Sequence, residues 1–354
     1  MSRPLVEIDG SQGEGGGQIL RTALSLSCIT GKGFRIGNIR KSRSKPGLMR
    51  QHLVAVQAAA RIAGAQLCGD LLGSQELLFV PGAVRPGNYE FDIGTAGSTS
   101  LVLQTIVPPL ARAAAGSRLK LTGGTHVPFS PSWHYLSQVF APAVAALGVK
   151  ADFLLEACGF YPKGGGRVGC RVEPAGRLHP LQLAQRGGLL RITGCAAVGN
   201  LPRHIAEREA CAALRVLQEE LGESVPMEVA IQELKIYGQG TFIFLKAEYE
   251  HVVTGFTALG QRGKPAERVG EEAAQELLAH HRTGRSVDPH LADQLVLYLA
   301  QADGPSLFAT SRISSHLITN LLVTSLFLEM ESRVEGELEQ PGTVSIRPVS
   351  SALC

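Results

Sequence analysis

The chain has 354 residues, enough at roughly 150 per domain for two or three units or for one large domain with an insert. Hydrophobic residues make up 44% and charged residues 18%, which excludes a disordered chain, because disorder needs low hydrophobicity and high net charge. Lys plus Arg minus Asp plus Glu is 34 − 31 = +3, so any anion site has to come from a local cluster rather than from bulk charge.

In chain order, the opening stretch has no apolar signal core, and a soluble, cytoplasmic protein is the expectation. Residues 10–18, GSQGEGGGQ, run directly into the helix-like ILRTALSLS. Glycine lets backbone approach a ligand closely, and a helix N-terminus offers unpaired N–H groups and partial positive charge. Together they suit a phosphate. The run is neither a Walker A loop nor the dinucleotide fingerprint, and a loop without a ligand is the alternative reading. Glu14 within it would repel a phosphate unless a cation lay between them. It is a candidate metal ligand, or else a solvated loop acid.

Residues 40–52, RKSRSKPGLMRQH, gather Arg40, Lys41, Arg43, Lys45 and Arg50, followed by Gln51 and His52, with Arg21 and Arg35 nearby in sequence. Arginine grips phosphate bidentately and lysine adds a point charge, so the cluster fits a nucleic-acid terminus or a polyphosphate. A solvated charge run is the alternative. A weak repeat links residues 17–36 with 97–121: a Gly-rich lead, an apolar helix, a turn and a short β-like run. Residues 314–328 look like the helical part of the same unit. The longest apolar stretch, 101–115, is broken by Gln104, Pro108, Pro109 and Arg112 and falls short of a membrane span.

Composition changes at residues 183–282, where charge density becomes ordinary. Strands are expected at 189–198, 227–234 and 241–249, and helices at 202–221 and 267–281. The expected organisation is a discontinuous large domain, residues 1–182 and 283–354, with an α/β insert at 183–282. Near the end comes SRISSHLITN, residues 311–320. The serines are good N-caps, so His316 should lie in the first helical turn, where the helix N-terminus keeps an imidazole neutral. Neutral imidazole can attack phosphorus; a structural histidine is the alternative. The seven cysteines form no C-x-x-C and read as free thiols.

Four segments together, EIDGSQGEGGGQILR, RSKPGLMRQH, GFYPKGGGRV and SSHLITN, resemble the RNA 3′-terminal phosphate cyclase family in order and spacing across essentially the whole chain. The resemblance implies an ATP-dependent enzyme that converts an RNA 3′-phosphate to a 2′,3′-cyclic phosphate through a histidine–AMP intermediate and an RNA–adenylate. It implies His316 as the nucleophile and Glu14 as ligand of a divalent ion, Mg2+ or Mn2+. Gln104, Pro131, His290, Leu291, Ala292, Asp293 and Gln294 would surround the nucleotide, with Pro131 against adenine. Arg21, Arg40, Arg43 and Gln51 would bind ATP phosphates or the RNA terminus. His290 stands where family members also carry tyrosine, and either ring can stack on a base. Cys158 stands where the glycine signature usually carries a basic residue. For GFYPKGGGRV, Pro162 and three glycines suit a tight strand connection, with phosphate or RNA contact the alternative.

The implied fold is α/β (α+β). Its large domain repeats units of two helices on a four-stranded sheet, and its smaller inserted α/β domain has thioredoxin-like topology. The implied partners are ATP and RNA ending in a 3′-phosphate, with no membrane. Two other readings stand beside the enzyme: a non-catalytic, cyclase-like RNA-binding protein of ribosome biogenesis, and a different transferase on a related fold. Neither predicts a histidine adenylate.

Overall fold

The computed structural model describes residues 5–349. β1 (Val6–Asp9), α1 (Gln18–Thr30) and β2 (Phe34–Gly37) form a parallel βαβ crossover, and α2 (Arg50–Ala63) leads to the hairpin β3 (Gln66–Cys68) and β4 (Leu77–Val80). Strand order is β1-β2-β4-β3. In β2, Phe34 and Ile36 point into the core and Arg35 points out, so helices cover one face and solvent the other. Gly31, at φ +69, ends α1 with its N–H on the Ser27 carbonyl.

The pattern recurs twice. β5 (Asn88–Asp92), α3 (Thr99–Ala111) and β6 (Ser117–Gly123) form the second crossover. α4 (Trp133–Tyr135) continues through a π-helical stretch, Leu136–Phe140, into α5 (Ala141–Ala146). β7 (Ala151–Ala157) and β8 (Gly166–Val172) then close a sheet of order β5-β6-β8-β7. The third unit starts at β9 (Gln182–Leu183) and is interrupted. β10 (Leu189–Gly199), α6 (His204–Leu221), β11 (Met227–Leu234), β12 (Gly240–Tyr249), β13 (Val253–Leu259) and α7 (Ala266–Arg282) intervene. The unit resumes with α8 (Pro289–Leu299), β14 (Ser306–Thr310), α9 (Ser315–Phe327), β15 (Met330–Glu335) and β16 (Gly342–Pro348). Its sheet, β15-β16-β14-β9, has the same order and parallel first pair as the other two.

This topology revises one sequence expectation. Helix 314–328 was expected to match α1 and α3, but α9 follows the second strand of its unit, and α8 is their counterpart. A capped apolar helix reads the same in either slot; only pairing with β9, two residues long and some hundred positions upstream of α8, separates them.

The intervening elements build a sheet of order β11-β10-β12-β13, in which β12 alone runs antiparallel to the rest. That is the thioredoxin-like strand order. α6 and α7 pack together over Ile192, Ala196, Ile243 and Leu245. The other face turns Cys195, Ala197, Phe242 and Phe244 into the core shared by the three units.

Helices α1, α3, α8 and α9 pack against one another at the centre, and α1, flanked by α3 and α9, is buried from Ile19 to Cys28 except at Arg21. None of the described helices is long and apolar enough to cross a membrane. In the first and third units, loops after the parallel strands carry three of the four motifs; GFYPKGGGRV lies on the β7–β8 connection of the second.

Candidate active site

Ser314 caps α9 by accepting the Leu317 N–H at 3.2 Å, which puts His316 in the first turn as the sequence predicts. The imidazole is exposed. Its pKa lies below the ordinary histidine value: desolvation is the main cause, Arg21, Arg43 and Arg312 add to it, and Glu14 opposes it. The ring is therefore neutral at pH 7 and keeps a free lone pair.

The Gly-rich loop lies against the same helix. The Glu14 N–H donates to Thr319 Oγ1 at 3.0 Å, one turn beyond His316. Gly13 has φ +58, and a Cβ there would collide with Thr319 Oγ1, so both backbone and space require glycine. The Glu14 carboxylate accepts the Gln18 N–H at 3.0 Å and pairs with Arg43 at 2.7 Å. The start of α1 thus carries a carboxylate of the chain's own, the charge a helix N-terminus favours.

Arg21 donates to Gln18 Oε1 at 2.8 Å while its buried Nε has no partner. Desolvation lowers its pKa to about 10, against the pull of Glu14 and Asp293, so it stays charged at neutral pH. His52 is buried, with its pKa lowered to about 3 by desolvation and then by Arg21 and Arg40. The neutral ring accepts the Met49 N–H at 3.1 Å. A side chain at Gly17 would strike His52 and Arg21.

The basic run divides by task. Arg43 reaches the site. Arg40 donates to the Lys45 and Gly47 carbonyls, at 2.6 and 3.0 Å, and holds its own loop in shape. Arg50 donates to the Ile93 carbonyl at 3.1 Å, and Gln51 Oε1 accepts the Ser98 N–H at 3.1 Å, tying α2 to the next unit. Arg35 lies on the solvent face of β2.

Gln104, Asp293, Gln294 and Arg21 share one small cavity of about 40 Å³ between α1, α3 and α8. That is room for a few waters and too little for a base. Gln104 Nε2, Gln294 Oε1 and Tyr298 Oη are buried there without partners. Burial drives the Asp293 pKa well above the usual carboxylate range; Arg21 opposes this, and Asp288 and Glu14 add to it. Leu291 and Ala292 are core residues, so their side chains face no ligand. Exposed His290 is some way along: its ring meets Tyr135 edge-on at 6.1 Å, and Tyr135 donates to Asp288, the cap of α8, at 2.8 Å. Pro131 immediately precedes Ser132, the cap of α4, at that same corner.

Sequence reasoning did not single out Arg312, Thr319 or Asn320. Asn320 Oδ1 accepts from Gln18 Nε2 at 3.0 Å and from Thr22 Oγ1 at 2.6 Å, and its Nδ2 donates to the Asp293 carbonyl at 2.8 Å. One side chain thus joins α1, α8 and α9. The available signal was spacing: Thr319 and Asn320 follow His316 by three and four positions, on one helix face.

For a metal, Glu14 supplies one carboxylate, and among the described residues no group of three or more His, Cys, Asp or Glu could hold an ion. The donors fit an ion shared with substrate phosphates.

The RNA 3′-terminal phosphate cyclase family model matches residues 12–334. A protein of Methylococcus capsulatus named RNA 3′-terminal phosphate cyclase is 48% identical over 351 residues, covering 97% of this chain and 96% of that one. One of Nostoc punctiforme with the same name is 46% identical, covering 98% and 100%. An archaeal one, of Methanopyrus kandleri, is 43% identical, covering 97% and 99%.

Proposed function

The chain belongs to the RNA 3′-terminal phosphate cyclase family, and we propose that its cleft uses ATP to close an RNA 3′-phosphate into a 2′,3′-cyclic phosphate. The observation that carries this reading is the neutral, exposed imidazole of His316, on a helix N-terminus and among Arg21, Arg43 and Arg312.

A 3′-phosphate monoester lacks a leaving group and repels an oxygen nucleophile. An imidazole nitrogen of His316 attacks the ATP α-phosphorus, the bond to the β-phosphate bridge breaks, and pyrophosphate leaves. An oxygen of the RNA 3′-phosphate then attacks the same phosphorus, the N–P bond breaks, and an RNA–adenylate forms. The 2′-hydroxyl attacks the 3′-phosphorus, gives up its proton, and AMP departs. Such steps need charge stabilisation and in-line placement more than a strong base. Arg43 and Arg21 meet the phosphate charge; Arg40 and Gln51 fix the loops that frame it. Gln104 and Gln294 offer unpaired polar atoms toward the nucleotide, with Asp293 beside them, and Pro131 and His290 would flank adenine. Glu14 would hold Mg2+ or Mn2+, which offsets phosphate charge when bound. The catalytic body is residues 1–182 and 283–354 and the insert residues 183–282, a division supported by β9 pairing with β14 and by α7 ending at Arg282. We place the reaction in the cytoplasm, where ATP and RNA meet.

The test is covalent labelling. Protein mixed with [α-32P]ATP and a divalent ion, without RNA, should carry an acid-labile, alkali-stable label. His316→Ala should lose it while folding normally, since an exposed site changes stability by only about 0.5 kcal/mol. No label on folded, ATP-binding protein would overturn the reading.

A further inference from the structure

The β7–β8 connection does more than join strands. Tyr161 and Lys163 on it are exposed, as are Gly165 and Arg167. It faces the β11–β12 loop of the insert, which carries exposed Lys235 and Tyr237. Between them is a crevice of about 360 Å³, lined in part by Gly165, Arg167, Lys235 and Tyr237. Tyr161 is 70% and Tyr237 79% exposed, unusual for large aromatic rings. Lys163 Nζ stands 6.0 Å from the Tyr237 ring centroid. Arg167 is shared with Glu156 at 3.5 Å, whereas Lys163 and Lys235 have no carboxylate partner among the described residues. The β11–β12 loop is tied to the end of β10: Asn200 Nδ2 donates to the Ile236 and Gly238 carbonyls at 2.8 and 2.7 Å.

The β7–β8 connection also touches the loop that leads into α3. Gly164, at φ +66, packs on the 93–98 loop, where a Cβ would fall 2.7 Å from the Thr95 carbonyl oxygen. That loop is the one gripped by Arg50 and Gln51 at the start of α2. The exposed Tyr161 ring, a Tyr237 ring with Lys163 over one face, lysines without carboxylate partners and exposed glycine backbone suit a single strand of nucleic acid: bases stack on the rings and phosphates meet the cations. We propose that this crevice holds the single-stranded RNA segment just upstream of the 3′-terminal phosphate. The proposal rests on RNA being the substrate.

The full-length protein is compared with Tyr161→Ala/Tyr237→Ala and Lys163→Ala/Lys235→Ala. Substrates are a dinucleotide and a single strand of about 12 nucleotides, both 3′-phosphorylated, and a blunt hairpin. The tyrosine variant should lose about tenfold or more in kcat/KM on the longer strand, through KM, with a matching rise in Kd by fluorescence anisotropy. The dinucleotide and RNA-free adenylylation should be unchanged. The lysine variant should flatten the salt dependence of binding by about two phosphate contacts. Equal losses on both lengths, an unchanged Kd for the long strand, or hairpin binding as tight as the single strand would overturn the proposal. A wild-type protein that takes no label from ATP fails the cyclase reading instead, and the anisotropy still decides the crevice.

Discussion

Replacing Asn320 tests whether the central helices are locked by one polar side chain. Asn320→Ala removes three hydrogen bonds, to Gln18, Thr22 and the Asp293 carbonyl, at a position only 4% exposed. Each stranded buried partner costs about 1–3 kcal/mol; water can reach half-buried Gln18, so the sum is about 3–5 kcal/mol. Urea denaturation should show the midpoint falling by roughly 1 M or more. Thr22 Oγ1 has Asn320 as its partner. Thr22→Val should therefore cost about 1 kcal/mol alone and close to nothing in the Asn320→Ala background. The same pair should slow adenylylation, because His316 rides on α9 and the Glu14 loop is tied to the start of α1, the two helices being joined. Free energies that add within about 0.5 kcal/mol, or a stability loss under about 1 kcal/mol, would refute the lock.

His316 should report the charges around it. Arg43 lowers its pKa and Glu14 raises it, while the two pair with each other. Removing either leaves a unit charge unopposed, worth about 1 kcal/mol or less for charges more than about 4 Å apart in water. By histidine NMR titration, Arg43→Ala should raise the His316 pKa and Glu14→Gln lower it; shifts of the same sign would contradict this arrangement. In the insert, burial raises the Glu209 pKa to about 7, although Thr241 and Lys264 pull it down. Thr241 Oγ1 has one proton but lies within 2.9 Å of both carboxyl oxygens and of the Ala197 carbonyl, which suits a protonated Glu209. The folded protein then keeps a proton that the unfolded chain releases. Stability should fall by about 3 kcal/mol as pH rises from about 4.5 to 7 and level off above. Glu209→Gln should remove that slope; an identical profile in both proteins would argue for an ionised carboxylate.

The sequence was most readable where periodicity and capping act locally. Strand 227–234 and the capped His316 helix sit where the pattern puts them. The four motifs carried the family, and with it the repeated sheets. What was illegible depends on distance. That α8, not α9, is the counterpart of α1 and α3 follows from a two-residue strand pairing across the insert. Arg40 and Arg43 look alike in sequence, yet one folds back on its own loop and the other reaches Glu14, a choice made by tertiary geometry. Asn320 reads as an unremarkable helix polar residue until α1 and α8 are in place.

The hydrogen bonds from Glu14, Gln18 and Thr22 to Thr319 and Asn320 join positions 298 to 305 residues apart. At 5–20 residues per second, the first unit leaves the ribosome roughly 15–60 s before its partner helix exists. Through that interval α1 has one apolar flank bare and its polar groups unmatched. On the proposed mechanism, a stalled or clipped product lacking α9 also lacks His316 and is inert rather than partly active.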